Sequence, residues 1–151
     1  MHGKLLLVAN RAGARLIEVR ERGRSLTLLE SFDNSRGRLH DGDLETDRPG
    51  RTFDSAGEGR HALGREESAS QRVAADFARE LAGRVAAALK TPAFDELVLV
   101  AEPRFLGLLR DALDDVSAKA VVASVDKDLV NLDIAALSAQ LAEALAPAHP
   151  R

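Results

Sequence analysis

Between residues 40 and 67 the chain reads HDGDLETDRPGRTFDSAGEGRHALGREE, a stretch in which most residue types can do chemistry. His40, Asp41, Asp43 and Asp47 fall close together, and His61 follows downstream. Carboxylates and imidazoles in such a group can ligate a divalent cation, and a bound cation can activate water. Their spacing matches neither an EF-hand loop nor two histidines on one helical face, so no metal is assigned. The preferred assignment pairs Asp41, Asp43 and Asp47 with Arg38, Arg48 and Arg51, stiffening the segment through ion pairs. Ser55, His61 and an aspartate have the composition of a serine triad but lack a nucleophile elbow. No catalytic residue is assigned, and Ser55 is read as a local hydrogen-bonding residue.

Recognition is the chemistry that remains. Gly57 and Gly59 flank Glu58 and free the backbone there for close approach or for positive φ. They have no preceding strand and no Gly-Lys-Ser/Thr ending, so a nucleotide phosphate site is not expected. Arg51 and Arg60 offer planar forks, and His61 changes protonation near neutral pH. The expected binding residues are Arg51, Ser55, Gly57, Gly59, Arg60 and His61, with His40, Asp41 and Asp43 beside them. Seven arginines lie between Arg36 and Arg72 against eight carboxylates, so net charge alone does not make the segment a phosphate-binding stripe. Phe53 is expected to tuck into the domain.

The elements that must position this segment are legible on both sides of it. KLLLVA (4–9) reads as a buried strand, ARLIEVRE (14–21) as a half-exposed one and SLTLLESF (25–32) as a third. The turns between them, at NRAG (10–13) and Gly23, are short enough for an antiparallel meander. A long loop follows, from 35 to 69. SASQ (68–71) has capping-box spacing, with Ser68 at the N-cap, and Val73, Phe77, Leu81, Val85 and Leu89 form the stripe of an amphipathic helix. ELVLVA (96–101) and KAVVASV (119–125) read as parallel strands joined by a helix that starts at Pro103 and buries Phe105, Leu106, Leu109 and Leu113. Asp133 is placed to cap a last helix carrying Leu137, Leu141 and Leu145. The order βββ, long loop, αβαβα implies one α/β domain over 1–146, with a frayed tail at 147–151. Its sheet is mixed and five-stranded with helices on its faces, and Leu5, Leu7, Val98, Val100, Val121 and Val122 are expected in central strands.

Composition bounds the rest. Hydrophobic residues make up 45% and aromatics 3%, so the core must be Leu, Val and Ala with a few Phe. A net charge of −3 excludes a globally basic nucleic-acid binder but not a local patch. The absence of cysteine excludes disulfides, zinc–thiolate sites, iron–sulfur clusters and thiol nucleophiles. No apolar run approaches the ~20 residues of a membrane span, and no secretion signal is visible. A cytoplasmic protein without a cofactor and without membrane contact is expected.

LLLVANRAGARLIEV, RLHDGDLETDRPGRTFDSAGEGRHAL, FARELAGRV, FDELVLVAEPRFLGLLRDAL and VDKDL together resemble the bacterial host-attachment protein family nearly end to end. The element order also resembles the middle domain of archaeo-eukaryotic class-one release factors and Pelota. In those release factors a Gly-Gly-Gln loop stands where Ser55–His61 stands here. Gly57-Glu58-Gly59-Arg60-His61 contains no Gly-Gly-Gln, so the resemblance implies a release-factor-like domain without release activity. The leading expectation is a non-enzymatic, translation-related module acting through residues 36–67 on the ribosome or RNA. A protein partner or a homodimer is the interaction alternative. The enzymatic alternative is a small metal-assisted hydrolase or nuclease using His40, Asp41, Asp43, Asp54 and His61.

Overall fold

The computed structural model describes residues 3–36 and 56–146, with side chains throughout except at 56–68. Among the described residues ten strands and α-helices follow in order: β1 (Gly3–Asn10), β2 (Gly13–Arg20), β3 (Ser25–Asp33), α1 (Ala56–Leu89), β4 (Phe94–Val100), α2 (Pro103–Ala112), α3 (Asp115–Ala120), β5 (Val121–Val125), α4 (Ile134–Gln140) and α5 (Ala142–Leu145), with a 3-10 turn at Glu21–Gly23 between β2 and β3. The five strands form one mixed sheet in the order β3-β2-β1-β4-β5. β1, β2 and β3 pair antiparallel, as short turns require, while β4 pairs parallel with both β1 and β5.

β1 and β4 occupy the middle of the sheet, and that position explains their unbroken apolar runs. A strand covered on both faces has no solvent side on which to alternate. Leu5, Leu7, Leu97 and Leu99 point to one face, where they meet Ala74, Phe77, Ala78, Leu81 and Val85 of α1 and Phe105, Leu106 and Leu109 of α2. Leu6, Val8, Val98 and Val100 point to the other, where Leu137, Leu141 and Leu145 cover them. The result is a three-layer sandwich with two separate apolar cores. The leucines at four-residue spacing in the last segment share one face as expected, but two short helices that meet at Leu141 replace the single helix.

Three helix starts follow the capping rules. Glu102 accepts from the N–H groups of Phe105 at 2.6 Å and Arg104 at 3.3 Å, just before Pro103. Asp114 accepts from Ser117 N at 2.8 Å, and Asp133 from Ala136 N at 2.7 Å. The Ser117 N–H holds the Asp114 carboxyl below its ordinary range. Its contribution to stability is therefore complete above the ordinary carboxylate value and lost as pH falls through the depressed one.

Two expectations are corrected. Val121 and Val122 do not lie in a central strand: β5 is an edge strand, and Val122 is 44% exposed. Lys119 and Ala120, read as the start of that strand, close α3 instead. The apolar run KAVVASV shows that a strand is present but not how many neighbours it has.

The larger correction concerns α1. Its first residue is Ala56, so Ser68 is an interior helical residue and no N-cap, and residues 56–68 are helix where a loop was expected. The capping-box spacing at 68–71 is real, but the preceding turn is already rich in the helix formers Ala, Leu, Arg and Glu. Extending an existing helix gains one hydrogen bond per residue fixed, whereas a new start bears the cost of nucleation. A polar stretch with no apolar stripe can thus be helical when it continues a helix packed elsewhere.

Candidate functional site

The direction of α1 follows from its contacts at its two ends. Arg11 follows the carboxyl end of β1, and its Nη1 donates to Ser70 Oγ of α1 at 2.9 Å. At the far end of α1 the chain turns into Phe94, which pairs with Gly3 at the amino end of β1. α1 thus runs antiparallel to β1 and β4. Its 34 residues make a rod of about 51 Å, roughly twice the length of an eight-residue strand. The fourteen residues from Ala56 to Ala69, about 20 Å of helix by length, precede the contact at Ser70.

The carboxyl edge of the sheet is where β1 and β4 diverge. From β1 the chain turns towards β2 on one side, and from β4 it passes through α2 towards β5 on the other. In open sheets with parallel strands, ligands bind at the carboxyl edge, beside such a switch point.

A hydrogen-bonded cluster fills this edge. Asn10 Oδ1 accepts from the N–H groups of Ala12 at 2.8 Å and Gly13 at 3.0 Å, fixing the β1–β2 turn. Its Nδ2 donates to Asp128 at 3.2 and 3.4 Å, tying the turn to the connector after β5. Arg15 holds the same connector by donating from Nη2 to Leu132 O at 2.6 Å and Leu129 O at 3.4 Å. Burial lowers the Arg15 pKa, and Asp133 opposes that shift.

Arg11 has a second role. Asn34, just past β3, donates from Nδ2 to Arg11 O at 2.8 Å, and its own N–H donates to Ala12 O at 2.9 Å. One residue therefore binds both roots of the intervening segment, through its carbonyl on the β3 side and its guanidinium on the α1 side. Further along, the Arg84 guanidinium lies 5.5 Å over the Phe32 ring and 3.6 Å from Glu30, tying α1 to the edge strand β3.

The residues expected to bind divide in two. His40, Asp41, Asp43, Arg51 and Ser55 lie outside the described residues, as does Asp54. Gly57, Gly59, Arg60 and His61 lie in the first turns of α1. The expected open backbone at Gly57 and Gly59 is corrected, since both stand in helix. Among the described residues no group of three or more His, Asp or Glu is placed to hold a metal ion. No helix there is long and apolar enough to cross a membrane.

Sequence reading missed Asn10, Arg11, Arg15, Asn34, Ser70 and Asp128. The available signal was the turn at NRAG and the polar connector VDKDL, both already part of the resemblance. A profile described as "Protein required for attachment to host cells" matches residues 5–141, almost the whole chain. The chain belongs to that host-attachment family. The match takes in the edge cluster and the segment it anchors, so this architecture lies inside the family's domain. No curated protein matches the chain.

Asn10 offers a direct test of the edge. Asn10→Asp keeps an oxygen for Ala12 and Gly13 but sets a second carboxylate against Asp128. Stability at neutral pH should fall by about 1–3 kcal/mol, and most of the loss should vanish when Asp128→Asn is added. Urea denaturation of the four proteins of this cycle measures it. Equal losses with and without Asp128→Asn would show that the contact is not made.

Proposed function

We propose that this host-attachment family protein is a non-catalytic binding module that presents residues 36–67 to ribosomal RNA. The observation that carries the reading is the clamp at Arg11, which ties Asn34 and Ser70 together at the carboxyl edge. A segment with its roots fixed to a rigid sheet is displayed in a defined place, and recognition residues gain most from such support. Arginine forks suit phosphate oxygens, and His61 adds a donor or acceptor that changes near neutral pH. The resemblance to a release-factor middle domain supports the same partner, while the lack of Gly-Gly-Gln separates this protein from peptide release.

Co-sedimentation with purified ribosomes tests the reading. At about 50 mM salt the protein should pellet with them, and release should rise steeply towards about 200 mM, as counterion return to phosphate requires. A photocrosslinker at position 60 should label RNA. Absence from the pellet at low salt overturns the proposal, and crosslinks to protein alone replace RNA with a protein partner.

A further inference from the structure

The opposite, amino edge of the sheet holds a cleft of about 830 Å³, lined by the starts of β1 and β4, the β2–β3 turn and the end of α5. Val19 and Leu145 give it an apolar floor, and Lys4, Arg20, Arg22, Glu18, Glu21 and Glu96 bring three positive and three negative groups to it. A balanced lining suits neither a polyanion nor a free cation. It suits a ligand that carries both charges.

The charges are not equally engaged. Lys4 Nζ donates to Leu145 O at 3.2 Å and lies 4.0 Å from Glu96, and Glu18 is bound to Arg20 at 2.7 Å. The side chains of Glu21 and Arg22 make no hydrogen bond or ion pair with the other described residues, and Glu96 has only its long contact to Lys4. Arg22 stands where backbone strain is also concentrated: Glu21 has φ 53°, Arg22 φ 60° and Gly23 φ 94°. Left-handed backbone disfavours the first two side chains, and such strain gathers where it sets a functional group in place. The turn leans on α5 so closely that a Cβ at Gly23 would lie 2.8 Å from Leu145 O. Leu145 packs with Val19 on the face of the sheet that Lys4 and Glu96 share, so the turn closes over that face.

The strand order sets the distance between Arg22 and Glu96. Arg22 caps the end of β2 and Glu96 stands on β4, with β1 between them. Two strand spacings give a separation of about 10 Å. An extended chain of three residues covers about the same length. We propose that this cleft binds a short peptide with both ends free, its carboxylate on Arg22 and its ammonium on Glu96. The site lies at the edge opposite the arginine-rich segment and is independent of the RNA reading.

The probe is trialanine with free ends, titrated into the isotope-labelled full chain and followed by NMR. Saturable shifts are expected at the amides of Lys4, Val19 to Gly23 and Glu96. Blocking both peptide ends should weaken binding by at least about tenfold, as should Glu96→Gln. Arg22→Gly separates recognition from structure. Glycine accepts the left-handed backbone, so the melting temperature should hold or rise while peptide binding drops by about tenfold. No saturable shift at millimolar peptide overturns the proposal. So do equal affinities for free and blocked peptide, or an Arg22→Gly variant that binds as well as the parent.

Discussion

Phe105→Ala should remove about 3–5 kcal/mol of stability, the largest loss expected from any single core truncation here. Phe105 is 1% exposed and is the largest of the fully buried side chains. It sits on α2, and its ring lies 6.0 Å from that of Phe77 on α1 at an interplanar angle of 38°. Truncation loses the transfer energy of the ring, leaves a cavity between two helices and a sheet, and removes an aromatic pair. The neighbours are mostly Leu and Ala, and a core with so few aromatic residues has little with which to refill the space. The cap at Glu102 acts on the Phe105 backbone and should survive, so the loss belongs to the side chain. Against the 5–15 kcal/mol typical of a domain this is a large fraction, and the melting temperature should fall by about 6–20 °C. Urea denaturation should show a lower midpoint at unchanged slope. A loss below about 1 kcal/mol would mean that α1 and α2 do not pack through this pair.

Arg60→Ala combined with His61→Ala should have the opposite profile: little change in melting temperature and a large loss of ribosome association. Both positions fall in the part of α1 that precedes Ser70. Alanine is at least as good a helix former as arginine or histidine, so the helix itself should not weaken. Substitutions that touch no packed core usually stay within about 0.5 kcal/mol. Binding should instead lose one phosphate contact or more, and each lost contact should flatten the dependence of log affinity on log salt by about one. Thermal unfolding and a salt series of ribosome sedimentation on the same preparation measure both quantities. A double variant that melts much lower would make residues 56–68 a structural belt, and the recognition surface would have to lie elsewhere.

Short connections and apolar runs were enough, from the sequence, for the meander β1–β3, the parallel pair β4 and β5, the helix at Pro103 and the cap at Asp133. Each depends on interactions within a few residues: a turn too short for a crossover, a side-chain oxygen reaching its own helix, a strand too apolar to face water. The family was legible for the same reason, because its residues are written along the chain. Where the interaction spans the chain, reading failed. β5 became an edge strand because strand order is a property of the whole sheet. α1 reached back to Ala56 because a helix anchored by Phe77, Leu81 and Val85 can extend through residues that would not start one. The clamp at Arg11 joins positions 34 and 70, and Asn10 reaches Asp128. No local pattern brings such distant polar groups together. They meet because the buried strands β1 and β4 lie side by side, and everything that leaves their carboxyl ends must share one edge.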